Sequence, residues 1–254
     1  MNLDIVGLTV RYGARIAVQD LALTLHPGEI LALLGANGSG KTSVLRALAG
    51  LTPHTGTARW SSPPRIGYMP QDSAANAALT VFEVVLLGRM RSLRFRPDAA
   101  DLAAAETTLR EIGLHDLAER RIGELSGGQR QMVFLAQVLA ADPHALLLDE
   151  PTSALDIAHQ LRILELLRAV TRRRGLTTLV VMHDLNAAAR FADRVALLHR
   201  GGLIGVGAPA DILRAETLEP VFGARVAVLP GPDGVPVVVP LGAATQAGEK
   251  IAPS

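Results

Sequence analysis

The sequence predicts an α/β fold: a mostly parallel sheet, with an antiparallel β subdomain at the N-terminus and a helical subdomain inserted into the strand order. Three observations predict it. Apolar runs such as ILALL (30–34) do not alternate in polarity, as expected of strands buried on both faces of a parallel sheet. A glycine-rich stretch, GANGSGKTS (35–43), joins that run to a helical pattern. Between about residues 72 and 124 the strand series stops and helical signals take over.

The elements follow in order. LDIVGLTVRY (3–12) and DLALTL (20–25) alternate with a period near two, which predicts short β-structure, and Pro27-Gly28 turns the chain into ILALL. Further continuous apolar runs stand at ALLLD (145–149), TTLVVM (177–182) and RVALL (194–198). Thr80 followed by Glu83 forms a capping box ahead of VFEVVLL, which places a helix start near Val81. A second helical pattern sets Leu102, Ala105, Leu109 and Ile112 on one face and stops at Gly113. A third puts Ile157, Leu161, Leu164 and Leu167 on one stripe and ends at Arg172 to Arg174 before Gly175, the arginines reading as a solvated helix end favoured by the dipole. VAVL (226–229) and VPVVV (235–239) around a Pro-Asp-Gly turn predict a hairpin, and residues 242–254 read as a loose tail.

Composition narrows the function. At 254 residues and 49% hydrophobic content the chain has ample material for a core. A formal net charge of +1 shows no polyanion bias, and one Trp, two Tyr and five Phe leave little for stacking bases, so nucleic acid is not an expected partner. The start MNLDIVGLTV lacks a basic and apolar leader pattern, and no window approaches the ~18 to 20 apolar residues of a membrane span, so a soluble, cytosolic chain is expected. With no cysteine there is no disulfide framework and no thiolate zinc site, in agreement with a reducing compartment.

Gly35-Ala36-Asn37-Gly38-Ser39-Gly40-Lys41-Thr42, with Ser43 beyond, satisfies G-x-x-x-x-G-K-[ST] between a buried strand and a helix. Glycines let successive backbone N–H groups converge on phosphates, with the positive helix end behind them. Lys41 reaches β and γ phosphates in such a loop, and the Thr42 hydroxyl holds Mg²⁺. By chance the pattern arises roughly twice in a thousand such sequences. The chain has two lysines, Lys41 and Lys250, and uses arginine elsewhere, so a compact ammonium stands where a broad guanidinium does not fit.

ALLLDEP ends a buried strand in Asp149 and Glu150, at the sheet edge where ligands bind in such folds. Asp149 is placed to bind Mg²⁺ and Glu150 to polarise the attacking water; taken alone, the pair reads equally as a strand-end cap. His183 follows another apolar run and reads as a γ-phosphate contact, a structural histidine or a helix cap. Gln71 ends a short strand, IGYMPQ (66–71), though loop glutamines are common, and Tyr12 reads either as a base-stacking aromatic or as strand packing. ELSGGQRQ (124–131) adds a second anion-binding helix start, more than eighty residues after the first.

The order Tyr12, GANGSGKTS, Gln71, LSGGQ, LLLDEP, SALD and His183 resembles the nucleotide-binding subunit of ABC transporters, from about Leu3 to Leu241. The resemblance implies a P-loop NTPase core, with one ABC ATP-binding domain over residues 1–241, and the cofactors ATP and Mg²⁺. It implies that Tyr12 stacks on adenine, that Gln71 joins Thr42 and Asp149 at the metal, that Glu150 and His183 are catalytic, and that Asp156 is the D-loop aspartate. It implies that Ser126, Gly127, Gly128 and Gln129 contact the γ-phosphate of ATP held by a second copy, the two copies forming a head-to-tail homodimer with composite sites.

LTVFEVVLLGR, TSALDIAHQ, HDLNAAARFADRVALL and the region 212–241 are similar to importers of the iron-siderophore, haem and cobalamin group. This implies transmembrane permease subunits, a periplasmic or lipid-anchored substrate-binding protein reached through them, and a peripheral location on the cytoplasmic face of the inner membrane. An exporter is disfavoured by the lack of a fused membrane domain. A soluble ABC ATPase acting on DNA or ribosomes is disfavoured by the lack of long coiled coils or a second ATPase unit. Met132 and Gln137 stand where the family shows arginines, which removes local salt bridges rather than activity. Lys-Thr-Ser replaces the commoner Lys-Ser-Thr and keeps both hydroxyls.

Overall fold

A computed structural model describes residues 1–71, 77–90, 97–153 and 155–243. Strands β1 (Leu3–Tyr12) and β2 (Arg15–Leu25) form a hairpin, and β3 (Ile30–Leu34) leads through the glycine-rich loop into α1 (Lys41–Leu48). Then come β4 (His54–Trp60), β5 (Ile66–Met69), α2 (Val81–Leu87), α3 (Ala99–Glu111) and α4 (Gly127–Ala140). Strand and helix next alternate through β6 (Ala145–Asp149), α5 (Ile157–Arg174), β7 (Thr177–Val181), α6 (Leu185–Phe191) and β8 (Arg194–His199). The chain closes with β9 (Gly202–Gly207), the short helices α7 (Pro209–Ile212) and α8 (Ala215–Phe222), and a hairpin of β10 (Ala224–Pro230) and β11 (Pro236–Ala243).

The main sheet has the order β5-β6-β7-β3-β8-β9, parallel throughout except for β9. Every residue of β3, β6 and β7 is buried, which is why their sequences do not alternate. Period two survives in where each side chain goes. Leu31, Leu33, Leu147, Leu179 and Ala196 pack with α1 and the inner face of the antiparallel sheet β2-β1-β4. Their neighbours Ile30, Ala32, Leu34, Leu146, Leu148 and Val180 pack on the opposite side with α4, α5 and α6.

The capping box of α2 forms as expected: the Thr80 hydroxyl accepts from Glu83 N at 3.2 Å, and Glu83 Oε2 accepts from Thr80 N at 2.8 Å. Four expectations need correction. In α3, Leu102 is 41% exposed; Ala105, Leu109 and, at the C-cap, Ile112 are buried as expected, and Thr108 joins them. Thr108 is tolerated there because its hydroxyl donates to the Ala104 carbonyl at 2.9 Å. In α5, Ile157 is 76% and Leu161 38% exposed. Leu164 and Leu167 belong to both stripes, but Ile163, Val170 and Thr171 complete the buried one. The arginine run is not simply solvated: Arg173 and Arg174 both ion-pair with Glu111 at the end of α3, and Arg172 meets Asp193 at 3.1 Å. Finally, Gln71 stands two residues beyond the end of β5 rather than at its tip. Residues 244–254 of the expected tail, residues 72–76 at the expected start of the helical insertion, and Ala154 of SALD lie outside the described residues.

Candidate functional site

The carboxyl ends of β3, β5, β6 and β7 lie along one edge of the sheet, and the residues just past them converge. Tyr12, Asn37, Gly38, Gly40 to Ser43, Gln71, Glu150 and His183 line a cleft of about 560 Å³, together with Arg15 and Ala17 from the start of β2. Sequence reasoning missed those last two, since a hairpin arginine and an alanine carry no motif.

The loop after β3 is shaped by close backbone contacts. Gly35 (φ 148°) and Gly40 (φ 104°) have no room for a side chain: a Cβ would lie 2.3 Å from the Leu198 carbonyl oxygen and 2.4 Å from that of Ala17, respectively. Lys41 Nζ donates to the carbonyls of Gly35 at 2.8 Å and Ala36 at 3.1 Å, so the ammonium is held inside the curl. Burial pulls the Lys41 pKa below the ordinary lysine value, while Glu150 and Asp149 oppose that shift. No side-chain cap satisfies the start of α1, whose N-cap is Gly40.

Asp149 is 1% exposed, and among the described residues neither carboxylate oxygen has a hydrogen-bond partner; the buried Ser39 hydroxyl also lacks one there. Burial pushes the Asp149 pKa up, and Glu150 adds to it. The neighbouring Thr42 hydroxyl favours the charged form but does not reach good bonding geometry with it, and Lys41 and His183 act in the same direction. A buried, unpartnered carboxylate beside a hydroxyl is an oxygen donor set suited to a hard divalent cation.

Glu150 holds φ at 51°, a left-handed conformation uncommon for a non-glycine residue. Its Oε2 accepts from Gln71 Nε2 at 2.9 Å, and its Oε1 pairs with His183 Nε2. The residues beyond β5, β6 and β7 are thus joined through one carboxylate. Tyr12 is 47% exposed, and the nearby Ser43 and Thr52 hydroxyls, with Arg46, lower its pKa against the effect of burial.

The second loop does not enter this cleft. Ser126 caps α4, its hydroxyl accepting from Gln129 N at 3.2 Å while Gln129 Oε1 accepts from Ser126 N at 3.0 Å. Gly128 and Gln129 line a separate hollow of about 550 Å³ with Glu111, His159 and Arg162. A Cβ on Gly127 would meet nothing within 4 Å. Asp156 caps α5 by accepting from His159 N at 2.8 Å and stays largely exposed. Sequence reasoning also missed His159; its only signal was its place three residues after a capping aspartate.

Comparison with known proteins decides the family. Residues 18–153 match the family described as ABC transporter. The chain is 41% identical to the hemin import ATP-binding protein HmuV of Myxococcus xanthus, over 96% of this chain and 98% of that protein. The chain belongs to the ABC transporter family. Like the other ATP-binding subunits of that family, this ABC protein is an ATPase. It is also 37% identical to the ferric enterobactin transport ATP-binding protein FepC of Escherichia coli, over 92% of each chain. Among solved structures, an ABC transporter assigned to the metal-chelate type, in an inward-facing conformation, matches with a TM-score of 0.86 and 32% identity, over 94% of this ABC protein and 97% of that chain. Among the described residues, no helix is long and apolar enough to cross a membrane.

Proposed function

We propose that this ABC protein hydrolyses ATP to drive uptake of a haem, iron-siderophore or cobalamin-type chelate. It works as a homodimer docked on transmembrane permease subunits at the cytoplasmic face of the inner membrane, and the permease receives cargo from a substrate-binding protein. The hemin import named for HmuV and the ferric enterobactin transport named for FepC support the chelate reading. Residues 1–241 act as one ATP-binding domain, with the region of about 72–124 inserted as a helical subdomain.

In this reading Tyr12 stacks on the adenine, and the backbone from Gly35 to Ser43 with Lys41 cradles the phosphates. Thr42, Asp149 and Gln71 hold Mg²⁺, which when bound neutralises phosphate charge; the unpartnered oxygens of Asp149 support that assignment. Glu150 accepts a proton from the attacking water, and His183, paired with it, fixes its carboxylate. Gln71 bonds to the same carboxylate, so a permease that moves Gln71 changes the hydrogen bonding of the general base.

One observation carries the two-copy reading: residues 126–129 form a capped helix start outside the cleft where the other motif residues meet. The open space around Gly127 supports it too, since among the described residues nothing lies close enough to explain the missing side chain. ATP bound between two copies closes them, and loss of the γ-phosphate lets them part. Ser126→Arg tests this. Nucleotide affinity of the isolated subunit is expected to stay within about twofold, while turnover falls by roughly 100-fold or more. Persisting turnover would mean that the second loop does not act on a nucleotide.

A further inference from the structure

We infer that His159 is a positioning residue: it fixes the turn at residues 126–129 against the first turn of α5, so that the 126–129 turn is presented to the second copy in one orientation. This rests on the proposal that residues 126–129 act on nucleotide held by that copy.

The imidazole is held from one side and presses on the other. Asp156 Oδ1 accepts from His159 N at 2.8 Å, and His159 Nδ1 lies 2.9 Å from both carboxylate oxygens of Asp156. Backbone and ring are thereby tied to the same carboxylate, which restricts the ring to one orientation. In that orientation it fills the space a side chain at residue 128 would need. A Cβ on Gly128 would lie 2.3 Å from His159 Cδ2 and 2.6 Å from Cγ. The two glycines of the turn therefore differ in cause: Gly128 is demanded by this ring, whereas Gly127 faces open space.

Ser126 and Gln129 cap each other, so the turn is stiff within α4, and contact with His159 carries that stiffness to α5. The next residue extends the connection. Gln160 Nε2 donates to Asp184 Oδ2 at 3.3 Å, and Asp184 adjoins His183, which pairs with Glu150. The first turn of α5 thus touches the 126–129 turn on one side and the neighbour of His183 on the other. A hydrophobic residue at 159 could pack on Gly128 but would leave its orientation free; histidine supplies both the contact and the hydrogen bond that aims it.

The test compares variants of the full chain by steady-state ATP hydrolysis and by equilibrium binding of ATP to the isolated subunit. His159→Ala keeps the backbone N–H that Asp156 caps, so the start of α5 survives. It is expected to lower kcat by about tenfold with ATP affinity and melting temperature unchanged. His159→Asn puts an amide donor where Nδ1 stands and is expected to stay within about threefold of wild type. His159→Gln puts its amide where Nε2 stands and is expected to behave like alanine. Wild-type turnover in His159→Ala overturns the inference, as does a joint loss of ATP affinity and turnover. Should the alanine variant fail to fold, equal turnover of the Asn and Gln variants overturns it. Ser126→Arg separates the two ideas. If it retains turnover, the cross-subunit reading fails. If it abolishes turnover while His159→Ala does not, only the role of His159 fails.

Discussion

Lys41 shows how one side chain is committed by its neighbours. It is 5% exposed, yet its charge is answered by two loop carbonyls and by the carboxylates of Asp149 and Glu150. Lys41→Ala removes the cation that faces the phosphates and leaves the Gly35 and Ala36 carbonyls without that donor. Calorimetry is expected to show ATP affinity reduced by roughly 100-fold or more, the cost of about 3 kcal/mol for losing a buried charged contact. Unchanged affinity would move the nucleotide away from this loop. Such residues were legible because covalent spacing alone fixes their arrangement: eight consecutive positions place Gly35, Gly40 and Lys41 together. Arg15 and His159 were not legible. What gives His159 its place is a contact with Gly128 that no local pattern encodes.

At the scale of elements, burial decided what the sequence revealed. β3, β6 and β7 could be read to within a residue because both faces are buried and no polar position interrupts them. β4 and β9 escaped notice because they lie at sheet edges and bury few residues. The end of α5 was misread for a related reason: its arginines find their acid, Glu111, in another helix. Burial raises the Glu111 pKa, but hydrogen bonds from Arg174 and Arg173 outweigh it and hold the carboxyl below the ordinary glutamate range. A carboxylate with a depressed folded pKa stabilises fully above its unfolded pKa, near ~4.3, and that contribution fades as pH falls through the folded value. Glu111→Gln is therefore expected to cost about 1–2 kcal/mol at pH 7, and less below about pH 4. Urea melts of both proteins at the two pH values check this. A penalty that persists undiminished in acid would show that the carboxylate charge is not what joins α3 to α5.

At the scale of the molecule, one chain carries a helix start, that of α1, in the cleft at the sheet edge and a second, capped helix start at residues 126–129 beside a separate hollow. Two such helix starts were legible as motifs, while their separation in space needed the fold. If each turn completes the cleft of a second copy, blocking hydrolysis while keeping the shape of the cleft should hold the copies together. Glu150→Gln does this, because the amide is nearly isosteric, keeps an oxygen to accept from Gln71 Nε2 and presents its NH2 as a donor to the His183 ring nitrogen, but does not take a proton from water. The left-handed backbone at residue 150 is unaffected in kind, since glutamine meets the same steric limits there as glutamate. On a sizing column the variant is expected to run as a dimer with ATP and Mg²⁺ and as a monomer without nucleotide. With ADP, which lacks the γ-phosphate that would bridge the copies, it is expected to remain monomeric. A variant that binds ATP and still elutes only as a monomer would show that the cleft is complete within one chain, and the turn at residues 126–129 would then need another partner.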